Sequence, residues 1–286
     1  MNANTVYLGY DQTALDAQYN NRIAVPEHTE IYAAWKIDCE RVLMNHDHRL
    51  DVAYGPEPTQ KLDIILPDTD GPFPINIFIH GGFWMSRSKD DMTFVAEGLA
   101  DAGAAVVIID YALMPDVTMD DIVRQCREAV VWVYKNADSF GGDPERIHIS
   151  GNSAGGHLVA MLMSTTFSDV PANIIKSGCA LSGIYDLEPI RHTYMQATLN
   201  LSEEDVQKNS PLKLAPSSRS PLIIFYGTLE SDEFKRHAGT LLRTWGSQCT
   251  AIERPGKNHF TIVADFADAK GELAKAVFRN MGLSDV

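Results

Sequence analysis

Short apolar runs recur along the chain from about residue 51, and segments of mixed polarity separate them. Runs of this kind, bounded by Gly, Pro, Asp or Ser, are typical of β-strands. They predict strands at 62–67, 75–80, 104–110, 146–150, 175–183, 221–227 and 249–255. The run 104–110, AAVVIID, shows no polar alternation, which indicates a strand buried on both faces of a sheet.

Apolar residues at helical spacing fill most of the segments between these runs. They predict helices at 91–103, 118–137, 154–164, 234–245 and 264–278. Strands that alternate with helices indicate βαβ units, and therefore an α/β protein with a mostly parallel sheet.

We expect one domain over residues 1–286, because no repeat, low-complexity segment or Gly/Ser linker divides the chain. Residues 1–50 would form an N-terminal helical extension, interrupted at Pro26, that either joins the core or lies across a pocket. The polar stretch 186–220 would form a small cap-like insertion near the carboxyl edge of the sheet.

The 286 residues are 45% hydrophobic and 22% charged, which is a globular balance and excludes a disordered or collagen-like chain. The net charge of −14 disfavours nucleic acid and anionic membranes as partners. Four widely spaced cysteines indicate neither a disulfide framework nor a metal site. Since the chain shows neither a signal-peptide pattern nor an apolar run of membrane length, we expect a soluble, cytoplasmic protein.

The pentapeptide Gly151-Asn152-Ser153-Ala154-Gly155 matches the G-x-S-x-G pattern of a nucleophile elbow. The bare pattern is weak, because a Gly-rich turn can hold an incidental serine. Its setting between the predicted strand 146–150 and the predicted helix 154–164 is the strand-turn-helix context that the elbow requires. Ser153 is therefore the candidate nucleophile, and the backbone N–H of Ala154 is a candidate oxyanion donor.

The segment His80-Gly81-Gly82-Phe83-Trp84 follows another predicted strand. It is either an ordinary Gly-Gly turn or a loop whose backbone N–H groups hold the oxyanion of a tetrahedral intermediate. Gly81, Gly82 and Phe83 are the candidate donors. Their pairing with a nucleophile elbow favours the catalytic interpretation, since the two motifs serve one reaction.

A serine nucleophile needs a base and an acid, which follow it in the chain order Ser, acid, His in hydrolases of this kind. His192, His237 and His259 follow Ser153, and His259 is preferred because it lies in a loop directly after the last predicted strand. His237 lies in a predicted helix and is expected at the surface. Glu230 is preferred as the acid over Asp232, because it lies at the first turn past the predicted strand 221–227, whereas the alternative role of Asp232 is to cap the next helix.

No cofactor or metal is expected. The segment His46-Asp47-His48 lacks a regularly spaced third ligand, and neither a G-x-G-x-x-G nor a Walker-type phosphate-binding motif is present.

Taken together, these residues resemble the α/β-hydrolase superfamily, in the branch of kynurenine formamidase (arylformamidase)-like and hormone-sensitive-lipase-like esterases. The resemblance is carried by HGGFW, DYALMP, GNSAGGHL, SGIYDLEPI, NSPL, GTLESDEF, NHF and the opening YDQTALDAQYNNR. It implies an eight-stranded, mostly parallel sheet, no cofactor, a possible homodimer and a Ser153–His259–Glu230 triad. It also implies hydrolysis of N-formyl-L-kynurenine to kynurenine and formate.

An arylamine leaving group needs an aromatic pocket, for which Trp84, Tyr185, Tyr19 and Phe83 are candidates, with core packing as their alternative role. Two other functions stay open. The same residues fit a carboxylesterase or arylamide hydrolase for short acyl substrates, because a fold does not define a substrate. A catalytically silent ligand-binding protein on this fold is disfavoured by the complete triad.

Overall fold

The computed structural model describes residues 5–284, which contain an eight-stranded sheet in the order β1-β2-β4-β3-β5-β6-β7-β8. The strands are β1 (His48–Ala53), β2 (Lys61–Ile65), β3 (Phe73–Ile79), β4 (Ala105–Ile109), β5 (Gly142–Asn152), β6 (Ile175–Leu181), β7 (Leu222–Gly227) and β8 (Cys249–Arg254). β2 pairs antiparallel with β1 and with β4, and all other neighbours pair in parallel. The predicted α/β-hydrolase architecture is confirmed.

Helices cover both faces of this sheet. They are α1 (Gln12–Tyr19), α2 (Asn21–Ala24), α3 (His28–Asn45), α4 (Glu97–Asp101), α5 (Met119–Asn136), α6 (Ala154–Met163), α7 (Glu188–Arg191), α8 (Gln196–Leu199), α9 (Glu203–Asn209), α10 (Asp232–Trp245), α11 (Thr261–Ala267) and α12 (Glu272–Met281). Within residues 5–284, none of them has the length and apolar character needed to cross a membrane.

Strand β4 shows how the sheet divides the core into two layers. Its residues are all fully buried, and Val107 packs into the cluster that holds α5, α6 and α10, whereas Val106 and Ile108 pack into the cluster that holds α3, α11 and α12. Because both faces are covered, apolar side chains are favoured at every position. The non-alternating run at 104–110 is thereby explained.

Three elements differ from the sequence prediction. β1 was not predicted, because its residues are mostly exposed and carry no apolar pattern. The predicted helix 91–103 is two short 3₁₀ turns followed by α4, since Thr93–Ala96 are all buried and packing takes precedence over helical periodicity. The predicted helix 264–278 is two helices, with Gly271 capping the start of α12.

The extension and the insertion consist mainly of short helices. α1, α2 and α3 precede β1, and α7, α8 and α9 lie between β6 and β7. Both segments reach the carboxyl edge of the sheet, where parallel α/β proteins place their sites.

Candidate active site

Ser153 lies at a sharp turn between β5 and α6. Its backbone adopts φ 56° and ψ −117°, a conformation that costs energy for any residue with a Cβ and is often stored at functional sites. The glycines around it allow the turn to press against the end of β3, because a Cβ on Gly155 would lie 1.9 Å from the carbonyl oxygen of Ile79. The predicted elbow geometry is present, and Ser153 lines a cavity.

His259 and Glu230 form a buried pair beside this turn. Nδ1 of His259 lies 2.7 Å from Oε1 of Glu230. The other carboxylate oxygen, Oε2, accepts hydrogen bonds from the backbone N–H of Gly227 and from the hydroxyl of Ser182, each at 2.8 Å. With three bonds to its two oxygens, the carboxylate is held in one orientation and fixes the imidazole.

The hydrogen bond to Glu230 places the ring proton of neutral His259 on Nδ1 and the lone pair on Nε2. Within residues 5–284, Nε2 has no hydrogen-bond partner, and His259 lines the same cavity as Ser153. The arrangement leaves a ring nitrogen that can take part in proton transfer in that cavity.

Close packing of two loops brings Glu230 to His259. Glu230 follows β7 and His259 follows β8, and a Cβ on Gly227 would lie 2.0 Å from the carbonyl oxygen of Lys257. Asp232, the alternative acid, is instead an exposed residue in the first turn of α10. The structure therefore pairs Glu230, not Asp232, with His259.

The other two candidate histidines lie elsewhere. His192 follows α7 and stacks on Tyr7 with ring centroids 5.9 Å apart. His237 is fully buried, so its predicted surface position is wrong. It accepts the backbone N–H of Tyr185 at Nδ1, and its Nε2 lies 3.0 Å from the hydroxyl of Tyr19, so its polar atoms are satisfied inside the core.

The loop after β3 places backbone donors beside Ser153. Gly82 and Phe83 both adopt positive φ, 110° and 52°. In residues 5–284 no acceptor pairs with their N–H groups or with that of Ala154, the first residue of α6. These three donors are available to a developing oxyanion.

Gly81 differs from these donors, although it was predicted to be one. Its N–H donates to Oδ1 of Asn152 at 3.1 Å and is therefore occupied. The bond ties the loop to the residue before Ser153, which makes Gly81 and Asn152 supports of the loop. Asn152 was missed by sequence reasoning, although it lies inside the pentapeptide.

The buried side chain of His80 also supports this loop. It is fully buried, its Nδ1–H donates to the carbonyl of Gly81 at 2.7 Å, and its ring stacks on Tyr111 at 4.2 Å. Burial lowers the pKa of His80 to about 4, so the ring is neutral at physiological pH.

The cavity has a volume of about 310 Å³, at the small end of the range for ligand pockets. Of the predicted aromatic residues, Tyr19 and Phe83 line it. Trp84 and Tyr185 do not, and the prediction for them is wrong. Both side chains are fully buried, and the indole Nε1–H of Trp84 donates to Nδ1 of His157 at 3.2 Å, so the ring packs in the core.

The N-terminal extension forms one wall of this cavity. Asn21 and Arg22 of α2 and Tyr32 and Trp35 of α3 line it, and Tyr194 reaches it from the insertion. The extension takes both of the positions left open for it, because Leu15 and Val42 are buried in the core while the residues named above lie across the cavity. Sequence reasoning missed these residues because no motif marks them and only tertiary packing brings them to Ser153.

Tyr19 anchors that wall to α10. Its buried hydroxyl donates to Oε2 of Glu233 at 2.7 Å, and Glu233 forms a bidentate pair with Arg236 at 2.8 and 2.7 Å. Burial, reinforced by the charge of Glu233, raises the pKa of Tyr19 and keeps its hydroxyl protonated.

Comparison with known proteins places this site in a family. The BD-FAE family model matches residues 62–234. A kynurenine formamidase of Salmo salar is 34% identical over 246 residues, 82% of either chain, and one of Danio rerio is 32% identical over 262 residues, 88% of either chain. A solved structure from Silicibacter sp. TM1040, provisionally named a thioesterase, superimposes with a TM-score of 0.83 at 26% identity, covering 91% of this chain and 97% of its own.

The strand order, the strained serine turn and these relatives agree with one another. The chain belongs to the BD-FAE family of the α/β-hydrolase superfamily, in the branch of kynurenine formamidases and hormone-sensitive-lipase-like esterases, and it is a serine hydrolase.

Proposed function

We propose that the chain hydrolyses the formyl group of an aryl amide, converting N-formyl-L-kynurenine to kynurenine and formate, with Ser153, His259 and Glu230 as its triad. The observation that carries the proposal is one small cavity that holds Ser153, the His259 ring oriented by Glu230, and the loop with the unpaired N–H donors. The names of the Salmo salar and Danio rerio relatives support this substrate.

In the first half of the reaction, Nε2 of His259 takes the hydroxyl proton of Ser153 as the serine oxygen attacks the formyl carbon. The carbonyl oxygen becomes an oxyanion, and the N–H groups of Gly82, Phe83 and Ala154 stabilise it. When the C–N bond breaks, His259 gives the proton to the departing arylamine nitrogen. Kynurenine leaves, and the formyl group stays as an ester on Ser153.

Water completes the cycle through the same groups. His259 takes a proton from water, whose oxygen attacks the formyl ester, and the second oxyanion occupies the same donors. Collapse of this intermediate breaks the bond to the serine oxygen, which regains its proton from His259. Formate is released, and throughout both halves the Glu230 carboxylate stabilises the imidazolium that forms.

The lining of the cavity supports an aromatic leaving group. Tyr32, Trp35, Phe83 and Phe260 contribute to its walls, and flat apolar side chains of this kind suit an aryl ring. The volume of about 310 Å³ leaves little room for a long acyl chain beside that ring.

A short-chain carboxylesterase or arylamide hydrolase is the second candidate. The same nucleophile, base and oxyanion donors cleave an ester with a better leaving group, so the site geometry does not separate the two. The third function considered from the sequence, a silent ligand-binding protein, is disfavoured because the paired Glu230 and His259 are oriented for catalysis and the relatives are enzymes.

The deciding experiment compares kcat/KM for N-formyl-L-kynurenine with kcat/KM for p-nitrophenyl acetate and butyrate. We expect the formyl amide to be the better substrate and Ser153→Ala to abolish both activities. If ester turnover exceeds formylkynurenine turnover by orders of magnitude, the esterase function replaces the formamidase. If Ser153→Ala keeps full activity, the mechanism is wrong.

We propose a cytoplasmic location, which the four buried, unpaired cysteines support, because thiols persist in a reducing compartment. We also propose that the chain forms a single domain, that it can form a homodimer, and that its substrate is a small molecule. Light scattering and limited proteolysis test the oligomer and the domain organisation.

A further inference from the structure

The charge of the cavity is opposite in sign to that of the chain. The chain has 38 acidic and 24 basic residues, yet among the described lining residues there is no Asp or Glu and there are two arginines, Arg22 and Arg87. An anionic molecule is repelled by the overall negative field unless local cations reverse it. The cavity is therefore locally suited to an anionic group.

Arg87 is already engaged. Its guanidinium lies over the ring of Tyr32, 3.5 Å from the centroid, and its Nη1 is 3.6 Å from Oδ1 of Asp91. Arg22 is different, because within residues 5–284 it forms neither an ion pair nor a side-chain hydrogen bond. Arg22 is the cation of this cavity that is available to a ligand.

Two buried donors beside Arg22 also lack partners. Nδ2 of Asn21 and Nε1 of Trp35 have no hydrogen-bond acceptor, although Asn21 is 8% exposed and Trp35 5% exposed. Both residues line the cavity. A buried donor without an acceptor is unfavourable, so an acceptor supplied by a ligand in the cavity would stabilise these two residues.

We infer that Arg22, with Asn21 and Trp35, forms a subsite for a carboxylate on the leaving group of the substrate. A carboxylate offers two acceptor oxygens in the plane that one guanidinium contacts through two N–H groups. It also brings the single negative charge that one available arginine balances. The inference rests on the proposed function, since N-formyl-L-kynurenine carries its carboxylate on the amine that departs.

The test uses a matched ester pair and does not depend on formamidase activity. The substrates are 3-acetoxybenzoate and phenyl acetate, which share the acetyl group and the phenol but differ in the carboxylate. The readout is the ratio of their kcat/KM values at low ionic strength, because an unfolded or misfolded variant loses both activities together.

We expect the wild-type chain to prefer the carboxylated ester and Arg22→Gln to lower the ratio about ten- to a hundred-fold, mainly through KM. Arg22→Lys keeps the charge but not the bidentate geometry, so its ratio should lie between those of the wild type and Arg22→Gln. Arg243→Gln is the control for net charge, since Arg243 is exposed on α10 and, among residues 5–284, its side chain bonds only Thr240. Its ratio should equal that of the wild type.

The outcomes separate this inference from the proposed function. If the ratio depends on Arg22 while N-formyl-L-kynurenine is not hydrolysed, the subsite stands and the proposed substrate is wrong. If N-formyl-L-kynurenine is hydrolysed but Arg22→Gln leaves the ratio unchanged, or changes it no more than Arg243→Gln does, the carboxylate subsite is overturned.

Discussion

The hydroxyl of Ser182 donates a hydrogen bond to Oε2 of Glu230 at 2.8 Å, and Oε2 is the carboxylate oxygen that does not face His259. Ser182 follows β6 directly and adopts φ 51°, so its side chain is aimed at Glu230 by a strained backbone. The bond is buried, and it restricts the carboxylate to the orientation that its pairing with His259 requires.

The substitution Ser182→Ala should lower kcat about ten-fold, because a hydrogen bond to a charged carboxylate is lost and the His259 ring is less well oriented. Steady-state kinetics at saturating substrate measure the effect on kcat. Ser177→Ala is the matched control, since Ser177 is a buried serine of β6 whose hydroxyl bonds His148 at 2.8 Å, away from the cavity. Equal losses in both variants would assign Ser182 a structural role only.

The two candidate acids are separated by a pair of isosteric substitutions. Glu230→Gln removes the charge that stabilises the His259 imidazolium and should reduce kcat by about 10³- to 10⁴-fold, with little change in thermal stability. Asp232→Asn changes an exposed residue of the α10 first turn and should leave kcat within about two-fold. A larger loss from Asp232→Asn would refute the triad as proposed.

Local motifs were sufficient to predict the groups that we propose as reactive. Ser153 and His259 lie just past the ends of predicted strands, and both line the cavity at the carboxyl edge of the sheet. Glu230 was preferred over Asp232 for the same reason, and the pairing with His259 follows that preference. These predictions needed only short-range patterns and the rule that parallel strands end at one edge.

The pocket walls could not be predicted in this way. Trp84 is adjacent to Phe83, yet it packs in the core while Phe83 lines the cavity, because both residues adopt positive φ and the chain reverses there. No hydrophobic pattern reports such a turn. Arg22 and Tyr194 reach the cavity only through tertiary packing of the extension and the insertion, which sequence periodicity does not encode.

The oxyanion loop makes a further prediction at Gly82. A Cβ there would lie 2.0 Å from the carbonyl oxygen of Ser86, and φ is 110°, so Gly82→Ala must displace the loop and its donors. We expect kcat to fall about a hundred-fold or more, with a smaller change in KM. Single-turnover kinetics would show whether acyl-enzyme formation is the step affected.

Gly103→Ala is the control for backbone strain alone. Gly103 has φ 92°, but the nearest atom to an added Cβ is Oγ1 of Thr69 at 3.9 Å, and the residue does not line the cavity. This variant should lose stability without losing kcat. If it loses as much kcat as Gly82→Ala, the effect at Gly82 is general strain and not displacement of the oxyanion donors.

The free energy of unfolding should decrease as the pH is lowered below about 6.5, because buried histidines resist protonation. His157 is fully buried, accepts the indole N–H of Trp84 at Nδ1 and donates from Nε2 to the carbonyl of Asn209 at 2.7 Å. Burial lowers the pKa of His157 to about 4. Between that value and the unfolded-state pKa near 6.5, the unfolded chain binds a proton that the folded chain excludes, so lower pH favours unfolding.

The variant His157→Gln removes this titration while keeping one donor and one acceptor. The free energy of unfolding of the wild type should drop between pH 7 and pH 5 by about 2 kcal/mol more than that of the variant. Burial raises the pKa of Asp110 to about 6, which acts in the opposite direction, but Asp110 is present in both proteins and cancels in the difference. Urea unfolding at the two pH values measures these free energies. Equal decreases in the wild type and the variant would show that His157 is not protonated on unfolding as proposed.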